Sequence, residues 1–271
     1  MIMKFYSLAT QAYEVLSVAI YLLRTLPFGV WLNFWTTNKA ETAVDLNGIK
    51  VLIRTKNLFT KSADISMAYE CIVRDDYQLK HLNVAGGSFV IDIGGHIGSF
   101  SLAAAKKFPD AKILCFEPSA FNYKILKKNI ELNNFDNISL FNKAVSSNER
   151  EVNIYINPIN SAATSMYNPK GLSVKVPSTT LEKIFMENGI KKCPFMKMDC
   201  EGAEYDILLN TPDKVLKKIE TMLIEYHSPE HFGISNKKYN VKNLVNQLKK
   251  SGFNCTLKNM KYYQGLLIAK R

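Results

Sequence analysis

Acidic residues are in short supply in this chain of 271 residues: 24 Asp and Glu stand against 35 Lys and Arg, a formal charge of +11. Arginine is scarcer still, with five residues, at positions 24, 54, 74, 150 and 271. Arg provides the planar fork that clamps phosphates and reads base edges, so its scarcity argues against sequence-specific nucleic-acid recognition. The lysines fall in scattered pairs, among them Lys106-Lys107, Lys127-Lys128 and Lys249-Lys250. Pairs spread over predicted helices read as solvated faces; attraction to nucleic acid, an acidic glycan or a membrane surface is the sharper alternative. Cysteine is sparse, odd in number and without a C-x-x-C, at Cys71, Cys115, Cys193, Cys200 and Cys255. That pattern argues against zinc and a disulfide framework and for a reducing, cytoplasmic setting. No internal repeat or low-complexity tract is visible, and 47% hydrophobic content allows one large α/β core or one domain with an appendage.

Charge is nearly missing from residues 15–38, where Arg24 stands alone among Tyr21, Phe28, Trp31, Phe34 and Trp35. The segment has neither the basic start nor the small-residue cleavage site of a signal peptide. Arg24, Pro27 and Gly29 interrupt it, which disfavours a straight spanning helix. Two readings stay open: a helix docked on the core or on a subunit, and a segment lying at a membrane interface. The chain therefore divides into an apolar helical extension over 1–40, a hairpin and helix over 41–85, and a core domain over 86–271.

What is present is concentrated at Phe89-Val90-Ile91-Asp92-Ile93-Gly94-Gly95-His96-Ile97-Gly98. A β-branched run ends in an acid, enters a Gly-rich turn and opens into a helix former. In such a unit Gly94, Gly95 and Gly98 let backbone approach a ligand that a Cβ would exclude. A second short strand then ends at Glu117, and a carboxylate there can accept hydrogen bonds from both hydroxyls of a ribose. The spacing is not G-x-G-x-x-G, and an acid inside the turn repels a pyrophosphate while suiting the ammonium of a methionine moiety. The pattern favours S-adenosylmethionine (SAM) over NAD. Alternating elements continue, with strands at 112–117, 138–141, 195–199 and 221–225 and helices at 98–107, 119–133 and 202–209. That order argues a parallel sheet with right-handed crossovers. A hairpin over 152–156 and 174–176 interrupts it, a helix over 66–82 precedes it, and a helix over 240–250 and two strands near 254–258 and 264–269 close it.

Further residues carry a resemblance. After Glu117 come Pro118, Asn129-Ile130-Glu131-Leu132-Asn133, Lys197-Met198-Asp199-Cys200-Glu201-Gly202-Ala203-Glu204 and Glu225-Tyr226-His227. With the Asp92–Gly98 turn, this series resembles the FkbM family of SAM-dependent methyltransferases from about Asp64 to His227. The resemblance implies a Rossmann-like fold with a mostly parallel seven-stranded sheet flanked by helices, and an antiparallel final hairpin. Family turns usually carry Ala-Asn where this chain has Gly95-His96, which leaves the role of His96 open. The expected cofactor residues are Asp92, Gly94, Gly95, His96, Gly98, Glu117, Pro118, Ala144 and Val145, the last two passing by the adenine.

The acceptor is read at the end of strand 195–199. Asp199-Cys200-Glu201-Gly202 lacks the Pro-Pro-aromatic clamp of amino-group methylation and the Pro-Cys of cytosine C5 chemistry. Two carboxylates at i and i+2 on the carboxyl edge of a parallel sheet suit deprotonation of a hydroxyl. His227 or Asp199 is the expected base and Glu201 the group that orients the acceptor; helix capping is the plainer reading of Glu201 and of Glu204. Pro229 between His227 and His231 breaks a helical metal pair, so no metal is expected. The resemblance implies O-methylation of a small-molecule or glycan hydroxyl. An RNA methyltransferase and a non-catalytic, membrane-associated SAM-fold protein are the alternatives.

Overall fold

The computed structural model describes residues 16, 19–24, 28–37, 39–156, 165–167, 172–261 and 263–271. Its centre is the strand β3 (Phe89–Ile93), whose apolar residues face packed layers on both sides. Strands buried on both faces read as continuous β-branched runs, which is why this segment reads so plainly. β3 pairs in parallel with β4 (Lys112–Phe116), and β4 with β5 (Ile138–Phe141). On its other side β3 pairs in parallel with β9 (Cys193–Asp199), and β9 with β10 (Ile219–His227). β12 (Gln264–Lys270) lies antiparallel between β10 and β11 (Asn254–Lys261), completing the seven-stranded order β11-β12-β10-β9-β3-β4-β5. The chain leaves β3 toward β4 and β5, then returns to its other flank as β9 and β10. Such a reversal opens a crevice at the carboxyl ends of the strands, where open α/β sheets bind ligands. Ile93 lies level with Phe116 and with Met198, so the loops after three strands meet there.

Helices α3 (Ser99–Lys107) and α4 (Ala120–Asn133) cover the sheet, followed by α5 (Leu181–Glu187), α6 (Glu204–Asn210), α7 (Asp213–Leu216) and α8 (Val241–Lys250). α4 starts on a Ser119 cap that accepts from Asn122 N and stops at Asn134 in the left-handed region. The expected insert is a three-stranded sheet: β6 (Ala144–Val145) beside β8 (Leu172–Thr179), itself antiparallel to β7 (Glu151–Ile156). Most of the Ser-rich loop 157–173 lies outside the described residues.

Before the sheet, β1 (Glu41–Leu46) and β2 (Ile49–Arg54) form a hairpin around Asn47 and Gly48, both at positive φ. The expected helix over 66–82 is corrected. Helix α2 (Leu58–Tyr69) begins earlier and runs into a single wide turn, Glu70–Arg74. The chain is then redirected by Asp75 and Gln78, both left-handed. Asn129 and Asn133 of α4 serve the free edge of β2: Asn129 Oδ1 accepts from Leu52 N at 2.6 Å and Asn133 Oδ1 from Lys50 N at 2.9 Å. Two side-chain amides thus stand in for a missing strand. The N-terminal helix α1 (Phe28–Thr36) and the helical residues 19–24 dock on this hairpin. Leu22 and Phe34 are fully buried with Val44, Leu46, Val51, Ile53, Ile97 and Ile125.

Candidate active site

The turn after β3 is shaped by contacts within the protein. Gly94 N and Gly95 N both donate to Phe116 O at 3.0 Å. Gly94 has φ +84°, and a Cβ on it would lie 1.7 Å from Asp199 O; one on Gly95 would lie 2.3 Å from Cys115 Sγ. Backbone and side chains of β4 and β9 press on the turn, so these glycines are required whether or not a ligand approaches. The expected place of Asp92 in the cleft is corrected. Its fully buried carboxylate accepts from Ser101 Oγ at 2.6 Å and stands 3.3 Å from Lys197 Nζ. Lys197, also buried, donates to Gly94 O at 2.6 Å. Asp92 therefore anchors the turn from below and does not reach the crevice; Lys197, the first residue of the Lys197–Glu204 motif, is its buried partner, a role that no local pattern encodes.

Glu117 closes β4. Its Oε2 accepts from His96 N at 2.7 Å, and its Oε1 from Ser119 N at 2.8 Å and Asn122 Nδ2 at 3.4 Å. Burial pushes its carboxyl up to about 7, against the pull of these donors and of Lys197. The carboxylate keeps accepting capacity on Oε2, on the wall of a cleft. His96 contributes its backbone, in a left-handed conformation, while its ring turns away to Arg54 Nη2 at 3.1 Å. Burial and Arg54 hold that imidazole well below its usual range, so it is neutral and accepts from the guanidinium. Arg54 also binds Asp64 and donates to Asn122 Oδ1 at 2.8 Å, tying the N-terminal hairpin to the cofactor loop.

The cleft is narrow, with a cavity volume of about 50 Å³. Gly94, His96, Glu117 and Pro118 line one part; Lys143, Ala144 and Val145 line another; Asp199 and Glu201 stand on its wall with Cys200 and Met166. Of the expected cofactor residues, Gly94, His96, Glu117, Pro118, Ala144 and Val145 are brought together here. Asp92, Gly95 and Gly98 lie behind the surface. The walls fit a nucleoside: an acceptor stands on Glu117, and apolar Ile93, Phe116 and Ile154 surround the space.

At the other end, β9 and β10 bring Asp199 level with Glu225, and the ligand-type atoms of Asp199, Glu201 and His227 lie within 4.8 Å of one another. His227 is buried; its Nδ1 meets Glu204 Oε1 at 3.1 Å and its Nε2 stands 3.6 Å from Glu201 Oε2. Burial disfavours the imidazolium, but Glu204, Glu201 and Asp199 outweigh it and raise its pKa to about 10. His227 is almost fully buried and does not line the cleft; Glu201 stands on the wall in front of its Nε2. Glu204 Oε1 also accepts from Cys200 N at 3.1 Å and Gly202 N at 3.2 Å, so this helix-start acid builds the loop and aims the imidazole. Glu201 sits at φ +51° before Gly202 at φ +102°, with its carbonyl held by Ser165 Oγ at 2.6 Å. Burial and the neighbouring carboxylates push the Glu201 carboxyl upward. The spacing would admit a cation, but both imidazole nitrogens already face carboxylates, and no ligand role is assigned.

The FkbM methyltransferase domain matches residues 92–255, more than half of the chain and both halves of this crevice. The chain belongs to the FkbM methyltransferases. The methyl donor of this family is SAM. Two relatives are Methyltransferase 1 of Beauveria bassiana, 24% identical over 162 residues, and Methyltransferase sdnD of Sordaria araneosa, 24% identical over 179. These matches cover 51% and 54% of this chain and 64% and 69% of the relatives, so the chain spans about two thirds of their length. Among solved structures, M. jannaschii TYW2 in complex with AdoMet aligns at 15% identity and TM-score 0.45, covering 86% of each chain.

Proposed function

We propose that this FkbM protein methylates a hydroxyl of a small-molecule or glycan acceptor. The observation that carries the reading is the cleft itself, with a nucleoside-type wall around Glu117 at one end and two carboxylates, Asp199 and Glu201, at the other. When bound, SAM supplies a methyl group on a sulfonium, already activated for transfer. What remains for the protein is alignment of the acceptor and removal of its proton. An alcohol is un-ionised at neutral pH, so its proton leaves as the new C–O bond forms. Asp199 reaches the cleft and can receive it; Glu201, whose carboxyl is pushed upward, orients the acceptor hydroxyl, and His227 stands behind Glu201 as a positioning group. Carboxylates there also oppose the positive charge that develops on the acceptor oxygen, which favours the transition state over the bound ground state.

The test is methyl transfer from labelled SAM to a panel of sugars, glycolipids and hydroxylated metabolites. Asp199→Asn or Glu201→Gln should lower kcat by roughly 10²–10⁴, the yield of positioned proton transfer, with SAM affinity little changed. Label recovered in RNA, cofactor binding without any product, or full turnover by both variants overturns the proposal.

A further inference from the structure

Among the described residues, the two N-terminal helical segments bury one apolar face and expose another. Leu22 and Phe34 point into the core, and Lys61 Nζ donates to Phe34 O at 3.0 Å, fixing the end of α1. Trp31 Nε1 donates to Ala19 O at 2.9 Å, joining the segments to each other. Outward, Leu16, Ile20 and Leu23 recur at helical spacing with 58%, 41% and 44% exposure, and Phe28 and Leu32 follow at 63% and 43%. Five of the large exposed apolar side chains among the described residues thus fall within seventeen positions. Scattered exposure is ordinary, but two neighbouring stripes on one small element are not.

We infer that this face docks on the surface of an anionic lipid bilayer. Charge selects the occupant. Residues 15–38 contain no acid, exposed Arg24 interrupts them, and exposed Lys39 follows. Just beyond, Ala40 borders a groove that carries Lys124, Lys127 and Lys128 against Glu41 and Glu131, beside exposed Phe121; Lys128 pairs with Glu41 at 2.7 Å, and the whole chain is at +11. Trp31 stacks on exposed Phe28 with ring centres 5.7 Å apart and so extends the stripe with an aromatic ring, while Tyr21 turns inward to Asn47 and Tyr69. A second copy is the poorer occupant: in a two-fold interface it would bring the same exposed cations, Arg24 and Lys39, against a segment that has no acid of its own. No helix among the described residues is long and apolar enough to cross a membrane, so the contact is with the surface.

The experiment is flotation of the full-length protein with vesicles of phosphatidylcholine alone and with about 30% phosphatidylglycerol, at low and high salt. The protein should rise with the anionic vesicles, more weakly in high salt and little with the neutral ones. The double variant Leu23→Ser/Phe28→Ser should partition at least tenfold less while its affinity for S-adenosylhomocysteine, read by calorimetry, stays unchanged. Absence of the parent protein from anionic vesicles, or equal flotation of parent and variant, overturns the inference. So does a concentration-dependent dimer that the same double variant abolishes, because the face would then belong to a second copy. Cofactor binding is read separately, so failure here leaves the methyltransferase reading standing, and failure there leaves this surface intact.

Discussion

Glu117 offers the sharpest test of the cofactor end of the cleft. His96 N, Ser119 N and Asn122 Nδ2 already take three of its accepting positions, leaving Oε2 with capacity for one ribose hydroxyl. A hydrogen bond to a charged group contributes about 1.5–3 kcal/mol, so Glu117→Gln should weaken S-adenosylhomocysteine binding about 10- to 140-fold. Because burial lifts this carboxyl to about 7, the wild-type affinity should itself depend on pH. Only the ionised form offers both oxygens as acceptors, so affinity should rise roughly tenfold from pH 6 to pH 8 and then level off. The stability of the cofactor-free fold runs the other way. A carboxyl whose folded pKa exceeds its ordinary value stabilises while protonated, fully below pH 4.5, and this contribution is lost as the pH rises through about 7. Calorimetric titration of S-adenosylhomocysteine at five pH values, on parent and variant, measures both effects. Affinity that is flat between pH 6 and 8, or a variant within threefold of the parent, would refute the placement of the ribose on Glu117.

Three further outcomes follow from the geometry. Gly94→Ala should give little folded protein in thermal melts, since its Cβ has no room against the Asp199 carbonyl and the backbone there is left-handed. His227→Gln should lower kcat by about tenfold or more with cofactor affinity held, and Glu204→Gln should mimic it, because Glu204 aims the ring; a His227 variant with unchanged kcat would remove its positioning role. Phe34→Ala should cost about 3–5 kcal/mol in denaturant unfolding, the usual loss for a fully buried aromatic, and a cost near zero would show that α1 does not dock on the β1–β2 hairpin.

The sheet was legible because its central strands are buried on both faces: β3, β4 and β9 read as β-branched or apolar runs ending in an acid, and each acid falls at the carboxyl edge. The roles of those acids were less legible, for a physical reason. Asp92 and Glu117 look alike in sequence, each the last polar residue before a loop, yet Asp92 faces Ser101 and Lys197 beneath the turn while Glu117 faces the cleft. Side-chain direction there is set by partners distant in the chain, Lys197 lying 105 positions from Asp92, and no local pattern encodes it. The same holds for His227. A histidine near neutrality suggests a base, but Glu204, 23 positions earlier and read as a helix-start acid, holds the ring by its Nδ1 and raises its pKa. Asn129 and Asn133 show the converse. They stood out as part of a motif, and their function is structural, closing the edge of β2 and thereby holding Arg54 against His96 and Asn122. The N-terminal hairpin is thus part of the cofactor wall: the side chains that orient the loop carrying Glu117 come from both sides of the boundary at residue 85. A lesion in β2 should therefore reach the cofactor without touching it, through Arg54.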